Sequence, residues 1–550
     1  MLPDAPGLRV SSIRSHRAAI IAVAVLAGLG AVAVIYATRL GPWAFNDSVV
    51  YMVSARNLVH GRGLGVQLPG GGFQPTSGHP PLYPISIALL TWMGMAELSA
   101  AQVLNVLLLS VSVLALGLGL IRLGWRPWLA LLTPVIVLGH PAIFDLYLGA
   151  ISEPLFLTLT LSGFISLALY LEQERRLKWL WLSAVALSMA WMARYAGLAG
   201  LFAAACCLAL LSGGNLKKRV LRAGGFTVVA AIPMVAWLAW LRLLPAAQSP
   251  RPFLWDPVTF PDRFRMLRAA VVDNLWGWLP LSGALPPVPY RLRLAALAIL
   301  AALISLAWVW LGFRRWRDRP DGQGAQPAFI LATLSLLFGV SYLAILFVTL
   351  GFTYPVPNLD ARILSPLLVA GLLLVLADLA MLISKVGSSA VLAKLVLVGA
   401  IGISVLPLPR TYNLVHDLHR EGRGFSSYRW RESGVLELLA SMPASLELVS
   451  NDPGPILFWT NRPAHLLPLL QDPPEQAGQV HPFGTGQGNG LEARFDQGEA
   501  ALVLFDSLYW QLHPIYGDST NRAIERLVSG AQEFGDSWDG IVYVSSPRQP

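Results

Sequence analysis

Charge is scarce in this chain of 550 residues: Asp, Glu, Lys and Arg together make up 13% of it, where a soluble domain usually carries about 25%. With 55% hydrophobic residues and a mean hydropathy of +0.58, a single water-soluble core of this size is excluded. Cysteine is nearly absent. Its two copies, Cys206 and Cys207, are adjacent within an apolar run, so they read as small buried hydrophobes and define neither a disulfide framework nor a redox compartment. The chain also lacks a P-loop, a GxGxxG motif opening a helix of a βαβ unit, a CxxC pair and an HExxH helix, and with them the usual signatures of nucleotide and metal binding. Internal repeats and coiled-coil heptads are not evident.

What is present is a series of apolar runs close to the length that a hydrocarbon layer of ~30 Å requires. Candidate spans cover roughly 18–38, 100–121, 128–144, 152–171, 178–195, 196–212, 223–244, 292–312, 328–350, 363–383 and 390–408, about eleven in all. The first follows Arg9, Arg14 and Arg17 without a convincing small-residue cleavage site, which favours a signal anchor over a cleaved leader. Arg122/Arg126, Arg175/Arg176/Lys178, Lys217/Lys218/Arg219/Arg222, Arg314/Arg315/Arg317/Arg319 and Lys385 all fall on the side of the basic N-terminus, so that side reads as cytoplasmic. The net charge of +9 is thus accounted for by orientation and anchoring, not by nucleic acid.

Parity decides one ambiguous segment. If Pro80 to Met95 crossed, every later basic loop would face outward, so it is expected to be a re-entrant or juxtamembrane helix started by Pro80 and Pro81. The outward loops are then 39–99, 145–151, a turn near Arg194, 245–291, 351–362 and everything after Pro409. The expected fold is an α-helical polytopic membrane domain over 1–409 and an extracytoplasmic α/β domain over 410–550. In the latter, 446–450, 500–505 and 540–544 read as strands, 435–441, 456–460 and 521–529 as helices, and the Gly/Gln-rich stretch 476–490 as a loop. The 245–291 loop carries Phe260 to Arg268 and the stretch Leu275-Trp276-Gly277-Trp278-Leu279, whose aromatics suit interfacial anchoring.

All candidate chemistry lies in the outward loops. Asp47, in Phe45-Asn46-Asp47-Ser48, opens an amphipathic helix through Val59; it can cap that helix, act as a general base, or do both. Glu153 stands before Pro154 at the start of a span, where an acid suits both a first helical turn and a functional role at membrane depth. Asp145 and His140 flank the same loop and rank lower. The cations on this side are Arg56, Arg62, His79, Arg194 and Arg362, which can snorkel at the interface or bind a phosphate by paired N–H contacts. Asn451-Asp452-Pro453 fits a strand-to-helix connection as well as an acceptor site.

These residues resemble the GT-C glycosyltransferases, in particular the group that holds protein O-mannosyltransferases, aminoarabinose transferases of lipid A and lipopolysaccharide-core sugar transferases. The resemblance rests on Asp47 before a helix ending Ala55-Arg56-Asn57-Leu58 and then Gly61-Arg62-Gly63, on His79-Pro80-Pro81-Leu82-Tyr83-Pro84, and on Ser152-Glu153-Pro154-Leu155-Phe156, with Leu359-Asp360-Ala361-Arg362-Ile363-Leu364-Ser365-Pro366 as a weaker fourth match. It implies a membrane glycosyltransferase that takes a hexose or pentose from a polyprenyl-phosphate donor, with inversion, at the outer face of a bacterial cytoplasmic membrane; the acceptor would be a glycan, lipid or protein. Asp47 and Glu153 would be its catalytic acids, and Arg56, His79, Tyr83, Arg194 and Arg362 its substrate-binding residues. Many members have two consecutive acids where this chain has Asn46-Asp47, so no metal site and no cofactor is assigned, although a divalent cation could bind if Glu153 or Asp145 joined Asp47. A flippase or transporter of lipid-linked glycans is the rival reading, as is a non-catalytic assembly protein, but the spans are mostly uninterrupted Leu, Ala and Val and do not suggest a polar path.

Overall fold

The computed structural model describes residues 6–173, 176–244, 256–279, 287–313, 325–353, 359–386, 402, 404–471 and 490–545. They form two compact units: Met1–Arg39, Ser77–Ser86 and Ser99–His419 make one, and Leu40–Thr76, Ile87–Leu98 and Arg420–Pro550 the other. The first-loop residues 40–76 thus group with the C-terminal segment that follows His419.

Among the described residues seven helices are long and apolar enough to cross a membrane: His16–Ala37, Glu97–Arg122, Glu153–Glu172, Leu216–Leu243, Tyr290–Gly312, Pro327–Phe352 and Ala361–Lys385. The run expected to be continuous over 128–144 is broken instead. Pro127–Gly139 and Pro141–Leu148 meet at 72°, because Pro141 disfavours a helical His140, which sits at φ −89° and ψ 115°. Leu177–Ala193 and Tyr195–Leu211 are apolar but fall short of 18 residues each, and the span expected over 390–408 lies mostly outside the described residues. Leu82–Trp92 has 11 residues, about 16 Å at 1.5 Å per residue, too short to cross, in line with the parity argument.

Burial ranks these helices. Within its most apolar window Glu153–Glu172 is 89% buried and Tyr290–Gly312 only 6%, so the former is the core around which the others pack. Near Glu153 several polar residues of this core are paired with one another. Ser112 Oγ lies 2.9 Å from the Tyr147 hydroxyl and 2.8 Å from Thr158 Oγ1, while the Asn105 amide donates to the Gly149 carbonyl at 2.7 Å. These bonds fix the loop that leads into Glu153. The 260–279 part of the next loop is a single helix, Phe260–Trp278. Its Arg263, 8% exposed, donates to the carbonyls of Leu350 and Thr353 at the end of another helix, and the Trp278 carbonyl meets His140 Nε2 at 3.1 Å.

The second unit is built on a five-stranded sheet of order β4-β3-β5-β7-β6, with β3 Glu447–Ser450, β4 Ala464–Leu466, β5 Ala500–Phe505, β6 Ala531–Ser537 and β7 Gly540–Ser545. Strand β3 pairs parallel with β4 and β5; β7 pairs antiparallel with β5 and β6. Alternation along the strands sends Leu448, Ala501, Val503 and Phe505 to one face, where helix Gly434–Ser441 and Ile456 cover them. Val449, Leu502 and Leu504 face the other side, under Leu491, Leu508, Leu512 and Leu527. The three expected strands are present. Strand β4, three residues long, and the polar β6 carry too little apolar alternation to stand out in the sequence, and 476–489 lie outside the described residues.

Candidate functional site

In the first unit the site is built around Glu153. Its helix begins at the glutamate itself, and Pro154 in the first turn needs no amide donor, so the acid points from the positive end of the helix dipole. The side chain is 1% exposed. Its Oε1 lies 2.7 Å from Arg194 Nη1 and 3.3 Å from Arg362 Nε, and Arg194 Nη1 also donates to Ser152 Oγ at 3.1 Å. The carboxylate thus gathers two guanidinium groups on one buried oxygen, and the arginines, 20% and 22% exposed, are the part of the cluster that reaches the surface.

Local sequence explains how each arginine arrives. Arg194 breaks the helical path between Ala193 and Tyr195 with an extended backbone at φ −148° and ψ 138°. Arg362 sits in the first turn of Ala361–Val386, capped by Asp360 Oδ1 on the Ile363 amide at 2.9 Å. Pro366 supplies no N–H to the Arg362 carbonyl, and Ser365 Oγ donates to it instead at 2.7 Å; the Tyr342 hydroxyl likewise serves the Ile363 carbonyl at 2.7 Å. The Leu-Ser-Pro setting thus keeps a proline-bearing turn satisfied just where Arg362 is presented. Asp360 Oδ2 lies 3.5 Å from Arg362 Nε.

The His79 segment joins the same unit. Tyr195, next to Arg194, donates its hydroxyl to the Ser77 carbonyl at 2.9 Å and accepts from Trp237 Nε1 at 3.3 Å. His79 is half-buried, whereas Tyr83 is fully buried and belongs to the packed interior, so the structure offers no Tyr83 surface to a substrate.

Asp47 and Arg56 lie in the second unit, on helix Asn46–Val59. Asp47 occupies the first turn and is half-buried, and the Phe45 amide donates to Ser48 Oγ at 3.1 Å across that turn. Ser54 and Asn57, both buried, bond to Thr76 Oγ1 at 2.8 Å and to the Gly65 carbonyl at 2.9 Å, so one helix face is fastened to the hairpin of β1 Gly65–Gln67 and β2 Phe73–Pro75. Arg56, expected to meet substrate, is engaged within the protein. Its Nε and Nη2 donate to Glu97 at 2.7 and 3.2 Å, and its Nη1 donates to Asn461 Oδ1 at 2.8 Å. Glu97, Asn461 and Tyr342 went unnoticed in the sequence, and Ser152 was read only as part of the Glu153 motif; of the three missed residues only Glu97 gave a signal, an acid opening an apolar helix as Glu153 does.

Among the described residues no three His, Cys, Asp or Glu side chains group as a cation site. Asn451-Asp452 forms the connection from β3 into helix Pro453–Thr460. The Asn451 amide bridges to Ser507 Oγ at 3.1 Å and Gln511 Oε1 at 3.0 Å.

No family model matches the sequence, and no curated protein matches it. Solved structures do match in shape. ArnT from Cupriavidus metallidurans bound to undecaprenyl phosphate superposes with a TM-score of 0.53 at 11% identity, covering 95% of this chain and 98% of that one. The mycobacterial arabinofuranosyltransferase AftD superposes with a TM-score of 0.52 at 15% identity, covering 96% of this chain and 40% of that one. Both are GT-C glycosyltransferases. The chain has the GT-C fold. The GT-C resemblance of the Asp47, His79 and Glu153 motifs therefore agrees with a likeness in shape that spans nearly the whole chain, in a multi-pass membrane protein with a C-terminal sheet.

Proposed function

We propose that the protein is an integral-membrane glycosyltransferase that moves a hexose or pentose from a polyprenyl-phosphate donor to a glycan, lipid or protein acceptor. The observation that carries this reading is the pair of arginines held on one buried glutamate, in a fold whose solved neighbour ArnT was captured with undecaprenyl phosphate. Arg194 and Arg362 bind the donor phosphate, and His79 assists. Glu153 keeps the two guanidinium groups in place, a role its burial suits better than proton transfer. Asp47 accepts the proton of the acceptor hydroxyl, the oxygen attacks the anomeric carbon with inversion, and the bond from that carbon to the phosphate oxygen breaks. The charge left on the lipid phosphate is taken up by the arginines.

The polyprenyl tail remains in hydrocarbon while its phosphate reaches the interface, which accounts for a site at the outward start of the Glu153 helix. In this reading the N-terminus is cytoplasmic, the 410–550 domain is extracytoplasmic and the membrane is the bacterial cytoplasmic membrane, as the basic loops indicate. Binding of undecaprenyl phosphate to the protein in lipid nanodiscs tests the reading. Arg362→Lys and Arg194→Lys are expected to weaken binding about tenfold each, since an ammonium group cannot make paired contacts. Unchanged binding in both variants would reject the assignment of the phosphate to this cluster.

A further inference from the structure

Helix Asn46–Val59, which carries Asp47, is held at both ends by the C-terminal segment of its own unit. At its start the Phe425 amide donates to the Ala44 carbonyl at 2.8 Å, and Ser426 Oγ donates to the Pro42 carbonyl at 2.5 Å. Two glycines permit this approach. A Cβ at Gly424, where φ is +60°, would stand 2.1 Å from the Ala44 carbonyl oxygen, and one at Gly454 would stand 2.8 Å from Asn46 Oδ1. Between the ends, Ala44, Val49 and Val53 share a core with Phe425, Leu457 and Phe458.

At the other end stands Asn461, which is the one non-glycine residue with positive φ among those described, at φ 58° and ψ 18°. It closes helix Pro453–Thr460 through its amide on the Leu457 carbonyl and turns its Oδ1 to Arg56 Nη1. That helix has eight residues, about 12 Å, and its first turn meets Asn46 while its cap meets Arg56. The two helices thus run side by side like a limb and its splint.

We infer that the stretch from Gly424 to Asn461 is a splint for the Asp47 helix, and that Asn461 is a positioning residue for Asp47 acting through Arg56. The kinetic part rests on the glycosyltransferase reading; the mechanical part does not. Asparagine satisfies two requirements here, since it tolerates the left-handed backbone and presents an oxygen acceptor to a guanidinium. Glycine meets only the first of these, and aspartate meets both.

The test uses full-length protein in nanodiscs carrying Asn461→Gly or Asn461→Asp, with two readouts: hydrogen exchange of residues 46–59 and steady-state transfer from a synthetic polyprenyl-phosphate sugar. Asn461→Gly should accelerate exchange about tenfold or more and lower kcat about ten- to a hundredfold with KM for the donor unchanged, and Asn461→Asp should restore both. Exchange at the unsubstituted rate in Asn461→Gly overturns the splint. Faster exchange with an unaltered kcat overturns the positioning role, because the bond would then serve stability alone. If the unsubstituted protein transfers sugar from no polyprenyl-phosphate donor, the glycosyltransferase reading and the positioning role fall together, while the exchange result still decides the splint.

Discussion

Glu153 and Glu97 each open an apolar helix, and each meets arginine, yet the two pairs are built for opposite ends. Glu153 is 1% exposed and holds two guanidinium groups through one oxygen, and the second of these also meets Asp360. Glu97 is 17% exposed and takes one arginine through both oxygens, with the remaining Arg56 nitrogen on Asn461. One arrangement brings two arginines from separate parts of the chain onto one buried oxygen. The other neutralises charge and fixes a helix. Sequence alone cannot separate them, because both read as an acid at a helix start with an arginine elsewhere in the chain.

The largest effect expected from this contrast is on stability. Removing a buried partner leaves its cations uncompensated, which costs about 3–5 kcal/mol, so Glu153→Ala should lower the unfolding temperature in detergent far more than Glu97→Ala, whose cost is about 1–3 kcal/mol. Equal losses in the two variants would break the comparison at its root. Next in size is a change in turnover with stability kept. Asp47→Asn should reduce sugar transfer about a hundred- to ten-thousandfold at an unaltered unfolding temperature, as loss of a general base does. A smaller, directional effect separates the arginines themselves. Arg362→Lys should weaken undecaprenyl phosphate binding about tenfold, whereas Arg56→Lys should leave donor binding as it is and loosen the Asp47 helix in hydrogen exchange. Weaker donor binding in Arg56→Lys would return Arg56 to the phosphate site.

These contrasts also show which parts of the molecule were legible in the sequence. Apolar runs and loop charge revealed the membrane helices, since span length and hydropathy are local properties, and the same parity argument kept Leu82–Trp92 from being read as a crossing helix. The break at His140–Pro141 was written in the proline but masked by continuous hydropathy. Glu153, Arg194 and Arg362 were all named, though their meeting on one oxygen depends on packing among three helices that no spacing encodes. The partners of Arg56 were hidden for the same reason, since they stand 41 and 405 residues away. The grouping of the first loop with the C-terminal segment depends on missing Cβ atoms at Gly424 and Gly454, and a glycine in a sequence does not say what comes close to it.

A third carboxylate sharpens the comparison by having neither arrangement. Asp452, between β3 and helix Pro453–Thr460, is pushed up to about 6 by burial; a backbone bond from Gly454 and the charge of Arg429 oppose the shift without cancelling it. Arg429 is itself paired with Asp506. Because the folded-state value lies above the ordinary carboxylate range near 4, the folded protein binds the proton more tightly than the unfolded chain does. Stability contributed by this group therefore increases as pH falls from above 6 toward 4 and is lost again as pH rises through 6, by at most about 2–3 kcal/mol. Asparagine caps a helix as well as aspartate does and carries no charge, so Asp452→Asn should raise the unfolding temperature at pH 8, leave it nearly unchanged at pH 4.5, and flatten the profile between. An identical pH profile in the variant would show that Asp452 is as well compensated as Glu153, and that burial without a dedicated cation is no burden in this domain.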